Sequence, residues 1–304
     1  MAKKILAILL ALTFVFAFAA CGGNSDTETT APAETTADPF AEVEDTTAAD
    51  VVEDTTAAEI VEDTTAAEVV EDTTVAAEDT TAAEESTTEA AKAMPQSKEE
   101  IVAAFNTAVN SVKTDAKSVK HHYSKISLNG STTLPSWANT AMKLLGGADK
   151  FIDDQLTKNS KGESVYTGAD IKAKYPVEGE SYASKLTAAD VKEAKITEKD
   201  GKWIIRIKTV DDAKSSTVTH GQGHAPKAFN VVLPGIVNDN VPSAVTSFIG
   251  GSAEMNYPSS TATITVDPAT GRAISAEYDL KWTINFGTDT ILPFTTLDSY
   301  TITY

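Results

Sequence analysis

The longest regular pattern in the chain runs from residue 274 to residue 286, where apolar and polar residues alternate without a break. Its apolar positions are Ile274, Ala276, Tyr278, Leu280, Trp282, Ile284 and Phe286. A period of two is typical of a β-strand with one buried and one solvated face. At about 3.3 Å per residue, these positions predict a strand of roughly 40 to 45 Å, more than twice the usual length.

Shorter alternating segments predict more strands of the same antiparallel sheet. The apolar positions are Trp203, Ile205 and Ile207 in one segment, and Ala262, Ile264 and Val266 in another. Asp200 and Gly201 precede the first segment and are typical of a tight hairpin turn back to residues 193–198. The second segment ends in a turn at residues 267–271, which leads into the long strand.

Helical periodicity occurs in two segments before these strands. Ser97 and Glu100 form the pattern of a capping box, and the first helix is predicted to run to about Lys120. Its apolar positions are Ile101, Phe105, Ala108, Val112, Ala116 and Val119. The second helix is predicted to begin at Pro135 and to kink or split at Gly146 and Gly147. Its apolar positions are Trp137, Ala141, Leu144, Leu145, Ala148, Ile152 and Leu156.

Residues 95–304 are therefore predicted to form an α+β domain, a curved antiparallel β-sheet covered by the two N-terminal helices. The concave side is either filled by side chains or left as an apolar cavity. Ala262, Ala276 and the flexible segment at Gly250 suit either case. The aromatic residues are interpreted as core rather than as a ligand cage, namely Trp137, Trp203, Tyr278, Trp282 and Phe286.

Residues 21–94 follow neither pattern. The sequence VEDTTAA starts at positions 43, 52 and 61, a repeat of nine residues. Nine residues make two and a half helical turns, so successive apolar pairs would face opposite sides of a helix. An odd period also alternates between the two faces of a strand. With nothing to bury, this segment is expected to be a disordered linker.

Charge is divided unequally between the linker and the domain. Residues 22–93 hold 21 acidic residues and one lysine, whereas residues 94–304 hold 23 acidic and 22 basic residues. The acidic segment is interpreted as a spacer that extends beyond the roughly 45 to 50 Å of a flexible coil of its length. The alternative is a specific acidic ligand for cations or for a basic partner. A nearly neutral domain with dispersed lysines disfavours nucleic-acid binding.

The first 20 residues are typical of a secretory signal peptide, since Lys3 and Lys4 precede an uncharged run that ends at Ala20. This run is shorter than the roughly 20 residues of a membrane-spanning helix, which favours removal after export. Cleavage after Ala19 would fit ordinary secretion. That product would keep the chain's single cysteine, Cys21, as a free thiol, an unusual feature in an oxidising compartment.

Residues 18–23, FAACGG, resemble the lipobox of bacterial lipoproteins, in which the cysteine sulfur receives a diacylglyceryl group before cleavage. This resemblance implies that Cys21 is a lipid anchor. Two acyl chains would hold the chain at the membrane, because each buried methylene contributes about 0.8 kcal/mol. The implied location is extracytoplasmic, on the cell membrane.

Two further resemblances concern the domain. In layout, residues 97–304 resemble the lipoprotein-localisation carriers and the mycobacterial lipoglycan carriers, which hold acyl chains in a curved sheet. Residues 175–207, from YPVEGES to KWIIRI, are similar to a domain that recurs in Gram-positive surface lipoproteins of unknown role. The first resemblance implies an apolar or lipid-like ligand.

Candidate catalytic and metal-binding residues are few. His220 and His224 lie four residues apart and His121 and His122 form a second pair, but Gly221 and Gly223 indicate a loop rather than a shared helix face. Solvated histidines, with no metal site, are the favoured interpretation. The neighbouring carboxylates Asp153, Asp154, Asp211 and Asp212 are expected to be solvated surface residues.

The sequence therefore predicts a non-catalytic, membrane-anchored extracytoplasmic lipoprotein that binds an apolar or lipid-like ligand and needs no cofactor. The alternative is a cell-surface display or adhesion module without a small ligand, which an exposed apolar or aromatic patch would favour. An enzyme is the third hypothesis, and it requires the histidines or carboxylates to meet in a cleft. The ligand-binding residues and the oligomeric state are not specified by the sequence.

Replacing Cys21→Ser tests the predicted anchor. Because the sulfur is the acceptor of the diacylglyceryl group, the variant should lose incorporation of labelled palmitate and leave the membrane fraction. Ser25→Ala, four residues away, is the control and should stay membrane-bound. A Cys21→Ser protein that stays in the membrane fraction would contradict lipid anchoring.

Overall fold

A computed structural model of the chain describes residues 93–158, 162–241 and 250–304. The helices in these ranges are α1 (Lys98–Asp115), α2 (Ser136–Met142), α3 (Ala148–Lys158), α4 (Ala169–Lys174) and α5 (Pro234–Asn240). The strands are β1 (Ser118–Leu128), β2 (Ser164–Thr167), β3 (Val191–Lys199), β4 (Lys202–Thr209), β5 (Ala253–Asn256), β6 (Thr261–Asp267), β7 (Arg272–Phe286) and β8 (Thr290–Thr303). The predicted signal peptide, Cys21 and nearly all of the predicted linker lie outside the described residues.

The eight strands form one antiparallel sheet, in which seven have the order β2-β1-β8-β7-β6-β4-β3 and β5 pairs with β7 off this path. On one side, β7 pairs with β8 along most of its length. On its other side, β7 pairs with β6 through residues 272–279 and with β5 through residues 283–286. The sheet is open, with β2 and β3 at its two edges. The predicted α+β fold with an antiparallel sheet is confirmed, and so is the hairpin of β3 and β4.

Helix α1 begins as predicted, because the Ser97 hydroxyl accepts the Glu100 N–H at 3.2 Å while the Glu100 carboxylate accepts the Ser97 N–H at 3.0 Å. Its predicted end at Lys120 is wrong, since the helix stops at Asp115. The Lys117 N–H donates to the Thr303 carbonyl at 2.8 Å, and β1 then pairs with β8. Pairing with β8 thus replaces the last predicted helical turn.

The second predicted helix is split, as expected, into α2, a short 3-10 turn at residues 143–145, and α3. Gly146 ends the first part with φ of 88°, a conformation that glycine adopts without strain. The predicted apolar stripe is only partly correct. Trp137, Leu144 and Leu145 are exposed, and Leu144 is 87% exposed, whereas Ile152 and Leu156 are buried. Trp137 is therefore not a core residue.

The two faces of the sheet have different environments, and we call the face against the helices the inner face and the other the outer face. The alternation of β7 places Tyr278, Leu280, Trp282 and Phe286 on the inner face, all buried. Ile274 departs from the prediction, because the register shifts between Thr265 and Val266 and brings Ala273 to the buried position. A β-bulge therefore exchanges one residue of the predicted stripe.

Aromatic side chains fill the space between the inner face and the helices. Fully buried members of the core include Phe105, Tyr175, Phe229, Trp282 and Phe294. Tyr278 lies at the centre of an aromatic cluster in which its ring centroid is 5.5 Å from that of Phe229, 6.0 Å from that of Tyr300 and 6.5 Å from that of Tyr175. Helix α1 packs over β3, β4 and β7. The described inner face is therefore packed with buried aromatic and aliphatic side chains.

Gly250 marks a close approach between backbones. A Cβ atom at this position would lie 2.4 Å from the Phe286 carbonyl oxygen, so the hydrogen atom of glycine is required there. Gly251 has a similar positive φ, 106° against 114°, but nothing lies within 4 Å of its Cβ position. Of the two interpretations of this segment, close packing is the one observed.

This pair of glycines supplies a matched test of packing. Gly250→Ala and Gly251→Ala share the strain of a positive φ, but only the first adds the collision with Phe286. We expect Gly250→Ala to lower the free energy of unfolding by about 1 to 3 kcal/mol more than Gly251→Ala, as overpacking does elsewhere. Urea denaturation measures the difference, and equal losses in the two variants would contradict the proposed contact.

Candidate functional site

Three neighbouring strands place opposite charges on the outer face of the sheet. The register aligns Arg206 of β4 with Thr263 of β6, and Thr263 with Glu277 of β7. One step along the strands, Lys208 aligns with Thr261, and Thr261 aligns with Asp279. Two cations and two carboxylates thus face each other across a strand of threonines. With strands about 4.8 Å apart, the two charged rows are separated by about 10 Å.

A depression of about 370 Å³ lies over the threonines. Its lining is Tyr123, Arg206, Thr261, Thr263, Glu277, Tyr278, Asp279, Leu297 and Asp298. The side chains explain its shape, because threonine is short and the residues on both flanking strands are long. We call this depression the trough, with the β6 threonines as its floor, Arg206 as its β4 wall, and Glu277 and Asp279 as its β7 wall.

The charged walls of the trough are not neutralised by direct ion pairs. Within the described parts of the chain, Arg206, Lys208 and Glu277 form no ion pair with another side chain. Glu193, which aligns with Lys208, pairs with Lys195 instead. Asp279 accepts a hydrogen bond from the Thr295 hydroxyl at 2.8 Å and keeps further acceptor capacity. A solute in the trough would therefore meet a donor wall and an acceptor wall.

An apolar border lies beyond the β7 wall. Leu297 of β8 aligns with Asp279 and is 40% exposed, although leucine is normally buried. Tyr123 of β1 aligns with Ser299, and the Lys125 ammonium lies 4.9 Å from the centroid of its ring. The trough therefore offers charged, hydroxyl and apolar groups to one small volume.

The four histidines lie in separate surroundings, not in one cluster. His121 is buried on the inner face, where Nδ1 lies 2.9 Å from the Tyr166 hydroxyl and Nε2 lies 3.0 Å from an Asp298 carboxylate oxygen. Its ring stacks on Tyr300 at 4.5 Å between centroids. Because both ring nitrogens have partners, His121 has no nitrogen free for a metal or a substrate. His122, its neighbour, instead contacts the Thr301 hydroxyl at 2.8 Å.

His220 and His224 also differ from each other. Burial lowers the pKa of His220, and Nδ1 of that ring has no hydrogen-bond partner among the described residues. His224 contacts the Asp190 carboxylate through Nδ1 at 2.8 Å. The spacing of four residues therefore does not bring the two rings to a common ligand. Across the described ranges, no group of three or more histidine, cysteine or acidic side chains has an arrangement that could hold a metal ion.

The predicted carboxylate pairs have unlike surroundings. Asp153 and Asp154 are exposed, as expected. Asp211 is exposed, but Asp212 is partly buried and accepts the N–H groups of His224 and Ala225 at 2.6 and 2.8 Å. Burial raises the pKa of Asp212 despite these hydrogen bonds. The prediction of a solvated surface pair is therefore wrong for Asp212, which holds a loop in place.

Asp190 is the most heavily hydrogen-bonded carboxylate near these histidines and is 3% exposed. One oxygen contacts Lys227 Nζ at 2.7 Å and His224 Nδ1, while the other accepts the N–H and hydroxyl of Thr187 at 2.8 and 2.7 Å. Burial alone would raise the pKa of Asp190, but the hydrogen bonds from Lys227, Thr187 and His224 together lower it to about 2. The group is a structural clamp between the segment before β3 and the loop after β4.

Sequence reasoning missed the trough. In the sequence, four of its charged residues are simply polar positions of two alternating segments, namely Arg206, Lys208, Glu277 and Asp279. The alternation predicts which residues face outward, but the pairing of β4 with β6 is a contact between distant parts of the chain. Leu297, an apolar residue at an outward position of β8, is recognisable as part of this surface only once the pairing of β8 is known.

Comparisons with known proteins give no match to a protein-family model, to a curated protein or to a solved structure. The resemblances drawn from the sequence therefore stay predictions. None of the helices in the described ranges combines the length and the apolar character that crossing a bilayer requires.

Acid titration tests the role of Asp190. Because the pKa of Asp190 is lower in the folded protein than in the unfolded chain, its ionised carboxylate raises the free energy of unfolding. This contribution is fully present above pH 4 and is lost as the pH falls towards about 2. At pH 7, we expect Asp190→Asn to lower the free energy of unfolding by about 2 kcal/mol, and this difference should shrink on acidification. The exposed Asp153→Asn is the control and should unfold like the wild type. Urea denaturation between pH 7 and pH 2 measures both, and a constant difference across this range would contradict the assignment.

Proposed function

We propose that this protein is a non-catalytic extracytoplasmic binding protein, held at the membrane by a lipidated Cys21 and an acidic linker, whose domain binds a small polar solute in the trough. The observation that supports the proposal is the trough itself, a depression of about 370 Å³ with charged side chains of both signs on its walls. Concave sites with a few convergent polar groups are the usual form of small-molecule sites.

A polar ligand has more support than the apolar one expected from the sequence. The inner face of the sheet, where an acyl chain would lie, is occupied by Tyr175, Phe229, Tyr278 and Trp282, all buried. The trough on the outer face has hydroxyl and charged groups on its floor and walls. An apolar solute would remove the hydration of these groups without replacing it, which is unfavourable.

The proposal of a binding rather than a catalytic role follows from the setting of the two carboxylates. Glu277 is exposed and lies outside the kind of apolar pocket that surrounds a general-acid carboxyl group. No histidine or cysteine belongs to the trough lining. The groups present are suited to orienting and neutralising a bound solute.

The display or adhesion module without a small ligand is the second candidate function. The exposed Trp137, Leu144 and Leu145 favour it, because they lie within ten residues of one another on α2 and the 3-10 turn that follows. Large apolar side chains grouped on a surface are typical of protein interaction sites. Absence of any solute from the trough would favour this second function.

A large side chain placed on the floor of the trough should prevent the solute from binding. Thr263→Tyr places a large ring on the floor, whereas Thr265→Tyr changes the same strand and the same face outside the lining, so it is a matched control. Trialanine, triacetylchitotriose and inorganic phosphate are titrated into the full-length protein while its amide NMR signals are recorded. We expect at least one solute to shift the Thr261 and Glu277 signals in the wild type and in Thr265→Tyr, but not in Thr263→Tyr. Shifts with none of the three solutes would contradict the proposed function.

A further inference from the structure

The two walls of the trough differ in sign, and this difference constrains the ligand. Arg206, with Lys208 next to it on β4, presents only donors and positive charge. Glu277 and Asp279 on β7 present negative charge and acceptors. A purely anionic solute would be repelled by the β7 wall, and a purely cationic one by the β4 wall. A solute with both charges satisfies both walls.

The spacing of the walls limits the length of such a solute. Their backbones are about 10 Å apart, two strand spacings, and both sets of side chains extend above the floor. A peptide extends about 3.3 to 3.6 Å per residue, so two or three residues span this distance between the amino and the carboxyl group. The floor threonines, Thr261 and Thr263, carry hydroxyls that donate to or accept from the peptide groups in between.

We propose that the ligand of the trough is a short peptide or a similar amino-acid derivative, with its carboxylate on Arg206 and its ammonium on Glu277 and Asp279. This proposal rests on the binding function proposed above and specifies the class of solute. Guanidinium and carboxylate groups form paired, charge-assisted hydrogen bonds, which suits Arg206 to the carboxyl end. Leu297, exposed at the border, gives an apolar side chain of the peptide a contact. A neutral saccharide would leave both walls without a counter-charge.

Blocking one end of the peptide at a time tests the assignment of the two walls. Calorimetry measures the binding of trialanine, N-acetyl-trialanine and trialanine amide to the full-length protein. The acetyl cap removes the positive charge of the amino end, and the amide cap removes the negative charge of the carboxyl end. We expect each cap to weaken binding about tenfold or more, the loss typical of one charged hydrogen bond. Raising the salt concentration should weaken the binding of trialanine as well, because the walls are solvent-exposed.

Variants of the two walls complete the test. Arg206→Gln should weaken trialanine about tenfold but leave trialanine amide unchanged, because that peptide lacks the carboxylate. Glu277→Gln should weaken trialanine in the same way but leave N-acetyl-trialanine unchanged. Lys199→Gln is the control, since Lys199 lies on the same face of β3, aligns with Lys202 and is outside the trough lining. All three residues are exposed, so the variants should keep the fold.

The outcomes separate the ligand class from the proposed function. Equal affinities for trialanine and for both capped peptides would overturn the peptide assignment. An affinity for trialanine that is unchanged in Arg206→Gln and Glu277→Gln would also overturn it. Shifts of the Thr261 and Glu277 amides with triacetylchitotriose or phosphate but not with trialanine would also overturn it, while the binding function would stand. If none of these solutes shifts the trough signals, both proposals fall.

Discussion

The alternation along β7 from Ala276 to Trp282 is the constraint on which the rest of the structure depends. It gives the central strand one face that must be buried and one that must meet water. Neighbouring strands pair with β7 in register, so their apolar positions join the same inner face and their polar positions join the same outer face. The trough and the core are thus two consequences of one pattern. Moving the register by one residue would exchange them.

Buried polar groups on the inner face fix that register. The Trp282 indole N–H donates to the Thr296 hydroxyl at 2.9 Å, and His121 contacts Asp298, both pairs joining neighbouring strands. Lys113 of α1 donates to the carbonyls of Lys172 and Glu180 at 3.1 and 2.8 Å, which anchors the helix. Burial lowers the pKa of Lys113 to about 8. Such groups are costly to leave unpaired, so alternative registers are disfavoured.

Local patterns predicted the elements whose signals lie within a few residues. The capping box of α1, the split at Gly146 and the hairpin at Asp200 depend on short-range chemistry and were read correctly. Strand β8 was not predicted from the sequence. Thr296 and Asp298 occupy inner positions where apolar residues would be expected, and Pro293 is atypical of a central strand. Their partners, Trp282 and His121, are distant in the chain, so the pattern alone does not show that these polar groups are satisfied. The trough was not predicted for the same reason, because its walls are brought together only by the pairing of strands that are distant in the chain.

The net charge of residues 94–304 conceals the separation of charge on the outer face of the sheet. Residues 94–304 have 23 acidic and 22 basic residues, which suggests an electrostatically neutral surface. On the outer face, however, the short side chains of Thr261 and Thr263 separate a positive row from a negative one. A charged residue on β6 would have formed an ion pair with one of the two walls. Threonine is uncharged and neutralises neither wall. The separation by one strand therefore keeps the two charged rows apart, and in the proposed binding function the floor residues determine selectivity as much as the charged ones do.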